Sequence, residues 1–168
     1  NLFFIPSVEA SGEGEATDLK DFSVGPGEMD PQGIITQFSQ LDSDHFQFDY
    51  SDPRPNQFGG AILAFTGKRP DLSGGGELVF KVEGVTQLVV SVSDDVCSAN
   101  CSDSDPANDQ FRSVSILFTG ISDQTPLLHI KEADLLRALQ DFHASQITSV
   151  SFVVDPKTRP VEGGQVRV

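Results

Sequence analysis

Tryptophan is missing from this chain of 168 residues, and there is one tyrosine, one methionine and two cysteines. A surface that grips flat ligands by ring stacking normally uses Trp or Tyr faces, so here only Tyr50 is on offer. No apolar run approaches the roughly 20 residues of a helical membrane span. Positive charge is also scarce: 11 Lys and Arg stand against 25 Asp and Glu, a formal net charge of −14. Such a chain repels phosphate backbones and anionic lipid, which argues against nucleic acid and anionic membranes as partners.

Several catalytic signatures are lacking too. No serine sits in a G-x-S-x-G elbow. His45, His129 and His143 are scattered without the spacing of a zinc site, and Gly74-Gly75-Gly76 lacks the Lys of a phosphate loop. Carboxylate pairs say nothing about glycosidase chemistry in a chain with this many acids. The expectation is a protein that binds rather than catalyses.

The two cysteines, Cys97 and Cys101, form C-x-x-x-C with no second pair to complete a zinc site. A small structural disulfide is expected, which would place the chain in an oxidising compartment. It would close so short a loop that its main effect would be on loop shape. The sequence opens at Asn1 with no Met and no basic leader, as expected of a secreted chain whose signal peptide has been removed.

What is present in quantity is phenylalanine (13), glycine (15) and proline (10), with 38% of residues hydrophobic. Many turns and short apolar elements favour an all-β domain. In Gln87–Ser93, Leu88, Val90 and Val92 alternate with Val89, Ser91 and Ser93; in Phe111–Phe118, Val114, Ile116 and Phe118 alternate with Ser113, Ser115 and Leu117. Between them lies an acidic loop, Asp94–Gln110. Further strands are expected at Asp18–Val24, Ile34–Phe38, His45–Tyr50, Phe58–Phe65, Glu77–Glu83, Pro126–Ile130, Ile147–Val154 and Gln165–Val168. Ala133–Phe142 is the one helical stretch, with Leu135, Leu136, Leu139 and Phe142 on its apolar face and Asp134, Arg137 and Gln140 towards water. The fold expected is an all-β, two-sheet β-sandwich of jelly-roll type with one short helix.

Residues 1–16 read as an apolar N-terminal segment and an acidic linker, and 17–168 as a single β-sandwich domain. The apolar tip, Leu2, Phe3, Phe4 and Ile5, has two readings. It pairs as an edge strand on its own domain, or it assembles copies of the chain into a filament by strand donation.

The acidic loop offers Asp94, Asp95, Asp103, Asp105 and Asp109 as oxygen ligands for Ca²⁺, which takes six to eight such atoms. The same residues are ordinary turn formers, and both readings stand. Candidate ligand contacts are Tyr50, Arg54, Asn56 and Arg69, in or beside the loops at 52–58 and 67–76 that would join the acidic loop in one surface.

The run FGGAILAF…DLSGGGELVFKVEGVTQLVVSVSDD…CSANC…DQF resembles the galactose-binding-like jelly rolls of secreted carbohydrate-binding modules. PLLHIKEADL and ITSVSFVVDP…GGQVRV are similar to their later strands, so the likeness spans about Phe58 to Val168. It implies a jelly roll with glycan as partner. Two features depart from the pattern: the stacking Trp is missing, and the last strand reads Gln165-Val166-Arg167-Val168, without acidic residues for calcium.

Overall fold

The protein is described here by a computed structural model, covering residues 6–15, 19, 21–26, 35–50, 59–99, 110–154 and 164–168. One layer is a six-stranded sheet. Across it run β1 (Ser7–Glu9), β8 (Gln110–Thr119), β7 (Leu88–Ala99), β10 (Ser149–Val154), β5 (Gly59–Phe65) and β2 (Phe22–Pro26). Facing it are two smaller sheets. One orders β11 (Gly164–Arg167), β4 (Phe46–Tyr50) and β3 (Ile35–Gln40); the other pairs β6 (Glu77–Lys81) with β9 (Leu127–Lys131). A bridge between Glu83 and Arg167 links these two sheets into a second layer. This is the expected all-β sandwich with one short helix, α1 (Glu132–Ala138), among the described residues.

Alternation in the strands explains the core. Leu88, Val90 and Val92 of β7, with Val114, Ile116 and Phe118 of β8, are buried on the inward face. On the outward face Ser91 and Ser115, directly opposite in register, join their hydroxyls at 2.7 Å. From the other layer Phe46, Phe48 and Tyr50 of β4 and Leu78 and Phe80 of β6 enter the same core. Phe152 of β10 meets Phe46 and Phe80 edge-on, with ring centroids 5.5 and 5.0 Å apart. These rings tie the layers together, each pair adding about 0.5–1.5 kcal/mol beyond the area it buries.

Two glycines are required by close approach. A Cβ on Gly60 would collide with the Phe152 carbonyl oxygen, so β5 and β10 can come together only with hydrogen there. Gly84 has φ +93°, and a Cβ would run into the Gln165 carbonyl oxygen. Gly84 thus lets the chain leave β6 and bring Glu83 against Arg167.

The helix is shorter than its apolar periodicity suggests. It stops at Ala138; Leu139 N–H still donates to the Leu135 carbonyl (2.9 Å), and a turn then returns Phe142 to the core. Asp134, expected in water, is buried because its carboxylate accepts the Lys131 backbone N–H at 3.2 Å, satisfying a donor at the helix start.

The N-terminal strand runs parallel to β8 of its own chain, with Ser7 opposite Leu117 and Glu9 opposite Thr119. Beyond it, the stretch expected to be a linker is docked. Ala10 is buried, Ser11 exchanges backbone hydrogen bonds with Leu127, and His129 Nε2 lies 2.9 Å from the Glu13 carbonyl oxygen. Leu2, Phe3, Phe4 and Ile5 lie outside the described residues.

Candidate functional site

Strand β7 does not end at Ser93 as its alternation suggests. It continues to Ala99 across an irregularity in its pairing with β8, so that Cys97 faces Phe111 and Ala99 faces Gln110. Asp94 sits at this irregularity and is fully buried. Its Oδ2 accepts from Arg112 Nη2 at 2.6 Å and from the His143 backbone N–H at 2.9 Å, while Oδ1 accepts from the Val96 N–H at 3.0 Å. Burial pushes the Asp94 carboxyl up, but the Arg112 guanidinium and the two backbone amides outweigh it and hold the group below its usual range. Arg112 in turn reaches Asp141, by Nη1 to the carboxylate at 3.1 Å and by Nη2 to the carbonyl at 2.8 Å. Thr148 donates its hydroxyl to the Asp94 carbonyl at 3.0 Å. Two strands and the segment after the helix are therefore anchored on one carboxylate.

Next to this anchor, Asp95 faces the exposed side. Its Oδ1 lies 2.8 Å from His143 Nδ1 and its Oδ2 3.9 Å from Arg69 Nη1. Two residues nominated separately by the sequence, Asp95 and Arg69, thus belong to one polar patch. Asp94 belongs beneath it, committed to Arg112. Among the described residues no group of three or more His, Cys, Asp or Glu is placed to hold a metal ion. Cys97 is not a free thiol. Asp103, Asp105, Asp109 and Cys101 lie outside the described residues, as do Arg54 and Asn56. Tyr50 is 7% exposed and part of the core cluster, so its ring packs between layers instead of offering a face to solvent.

At another place the layers part to form a cleft of about 540 Å³, within the size range of small-ligand sites. Leu19, Phe22 and Val24 near or on β2, Leu63 of β5, Phe46 of β4 and Phe80 of β6 give it apolar walls. Gln40, Ser43 and Asp44 line it from the β3–β4 turn, and Lys81, Glu83 and Arg167 from the ends of β6 and β11. The turn is pinned by Asp42, whose carboxylate accepts the Asp44 N–H at 2.8 Å and meets His45 Nδ1 at 2.7 Å. The Asp44 amide bond first, and the His45 ring second, lower the Asp42 carboxyl from its ordinary value. Glu83 joins two cations, Lys81 Nζ at 3.1 Å and Arg167 Nη1 at 3.4 Å. Lys81 first, and Arg167 with it, hold the Glu83 carboxyl below its usual range.

The cleft's walls come from segments far apart in the chain, and one local signal points to it: Val79, an apolar residue on the otherwise charged face of Glu77, Lys81 and Glu83, is 4% exposed and lines the cleft.

No protein-family model and no curated protein matches the sequence. Among solved structures, the chain is similar to one described as the crystal structure of a family 30 carbohydrate binding module. The TM-score is 0.50, over 86% of each chain, with 13% identical residues. At that identity the likeness shows a shared β-sandwich fold.

Proposed function

We propose that this protein is a secreted, non-catalytic carbohydrate-binding module that takes sugar in the cleft between its layers. The observation that carries this reading is the cleft's mixed lining, in which apolar side chains stand beside polar and charged ones. A pyranose has the matching division, with C–H faces that seek apolar surface and an edge of hydroxyls that seek donors and acceptors. Half-buried Phe22 takes the place of the missing Trp, with Phe46 and Phe80 behind it as core residues, while Gln40, Ser43, Asp44 and Glu83 supply hydrogen-bonding groups. The similarity in fold to a carbohydrate binding module supports the same reading. The strongly acidic composition fits an extracellular setting, and a Cys97–Cys101 disulfide belongs to the same proposal.

Calcium is a subsidiary part of it, with Asp95, Asp103, Asp105 and Asp109 as ligand candidates. If calcium stabilises the acidic loop, chelation lowers the melting temperature; an unchanged temperature removes the ion from the account. The function itself is tested by affinity electrophoresis and a glycan array. Retention by at least one glycan, weakened about threefold to tenfold in Gln40→Ala and Asp44→Ala, is the expected outcome. Absence of retention on every glycan class contradicts the reading.

A further inference from the structure

Strand β2 carries a backbone outlier where it meets the cleft. Asp21, one residue before Phe22, has φ +54°, and among the described residues it is the one non-glycine in the left-handed region. That conformation is uncommon outside glycine, and aspartate is among the residues that tolerate it best. Its effect on the chain can be read from the side chains around it. Phe22 and Val24 pack against the core with Ser23 exposed between them, the ordinary alternation of a strand. Continued backwards, that alternation would put position 20, a lysine, on the inward face and turn Leu19 outward. Leu19 instead packs against the core and lines the cleft together with Phe22 and Val24. An odd step from Leu19 to Phe22 needs a break in the alternation, and Asp21 stands at the break. A left-handed aspartate costs stability that a plain strand would not, and such costs persist at sites that use the geometry.

The corner is held from the neighbouring strand. β2 and β5 pair in register as far as Phe22 opposite Phe65, and beyond them the Thr66 and Gly67 N–H groups both donate to the Asp21 carbonyl, at 2.6 and 3.3 Å. Two residues on one side thus answer one on the other, the count of a β-bulge. Gly67 belongs to the device as much as Asp21 does. A Cβ there would stand 2.6 Å from the Asp21 Cβ and 2.8 Å from its Oδ2, so the corner closes over a glycine. We infer that Asp21 and Gly67 are positioning residues of the cleft: together they re-aim the chain so that Leu19, with Phe22, forms the apolar wall against which a sugar ring lies. Neither of the two lines the cleft, so both act through Leu19 and Phe22. The inference rests on the carbohydrate-binding reading and adds to it how that wall is made.

The test pairs a variant that forbids the left-handed corner with one that accepts it. Asp21→Pro fixes φ near about −65°, whereas Asp21→Gly adopts a positive φ freely. In methyl-labelled whole chain, a neutral water-soluble nitroxide bleaches methyl signals according to their exposure. Leu41, 49% exposed, and Leu63, 3% exposed, mark the two ends of the scale. Leu19 is expected to lie between them in the unaltered chain and in Asp21→Gly, and to move to the Leu41 end in Asp21→Pro and in Gly67→Ala. The atoms that a Gly67 Cβ would meet first belong to the Asp21 side chain. Adding Asp21→Gly to Gly67→Ala should therefore return Leu19 to its place, a rescue that a general loss of stability would not produce. Affinity electrophoresis in gels cast with β-glucan, xylan or galactomannan reads the consequence for binding. A gel that retards the unaltered chain should retain Asp21→Gly within about twofold, while Asp21→Pro and Gly67→Ala lose about fivefold to tenfold. Leu19 equally protected in every variant overturns the inference, as does retention indifferent to Asp21→Pro and Gly67→Ala. If Asp21→Pro fails to fold, Gly67→Ala and its rescue decide. No retardation of the unaltered chain in any gel contradicts the sugar reading, and the nitroxide scale then decides the corner by itself.

Discussion

The Asp94 carboxylate has lost its contact with solvent and stays ionised because Arg112 and two backbone amides replace the water. Removing Arg112 would strand that charge in the interior. Arg112→Ala is expected to cost about 2–4 kcal/mol, less than a wholly buried pair because Arg112 keeps 21% of its side chain exposed. A chemical melt reads this directly, and Arg112→Lys should recover only part, since an ammonium does not reproduce the fork. The pH dependence follows from the direction of the shift. The folded carboxyl ionises below its ordinary value of 3.8. Its stabilising contribution is therefore complete above that pH and is lost as pH falls through the depressed folded value. Asp94→Asn should be less stable than the unaltered chain at pH 7, and the gap should narrow in melts below about pH 4. A gap that stayed constant down to pH 2 would refute this role. None of it is visible in the sequence, where Asp94 is one of several acids in what reads as a turn, and its partner lies 18 positions away.

Among the elements, β10 and the link from β6 to β11 carry the most. Phe152 is fully buried and touches rings from the opposite layer, so Phe152→Ala should cost about 3–5 kcal/mol in a denaturant melt. Gly84→Ala adds a Cβ against the Gln165 carbonyl at a positive φ. It should destabilise by about 1–3 kcal/mol in a denaturant melt. Strand interiors were legible because a period of two is written into them: Phe46, Phe48 and Tyr50, or Leu78 and Phe80, alternate in the sequence and are buried in the structure. Strand ends were less so. β7 runs on through Asp94 and Asp95 because pairing with β8 and a buried ion pair override the poor strand preference of aspartate. The same alternation placed Tyr50 inward, although aromatic scarcity made it look like a ligand contact. The cleft depends on which strands become neighbours across layers, and local periodicity does not encode that.

For the molecule as a whole, the sandwich supplies its own N-terminal edge strand, as β1 lies along β8 of the same chain. Deletion of residues 1–5 should therefore leave a folded monomer in analytical ultracentrifugation, whereas loss of polymers on that deletion would favour assembly by strand donation. Deletion through residue 11 should lower the melting temperature, because it exposes the β8 edge and removes buried Ala10 and the Ser11–Leu127 pairing. The polar patch of Asp95, Arg69 and His143 and the phenylalanine-walled cleft are competing surfaces for ligand, and a residue-resolved measurement separates them. Titration of the ¹⁵N-labelled protein with a retained oligosaccharide, followed by amide chemical shifts, is the most direct test. The account predicts the largest shifts at residues 40–46, 79–83 and 166–168 and little change at Arg69, Asp95 and His143; shifts centred on that patch, with the cleft silent, would contradict it.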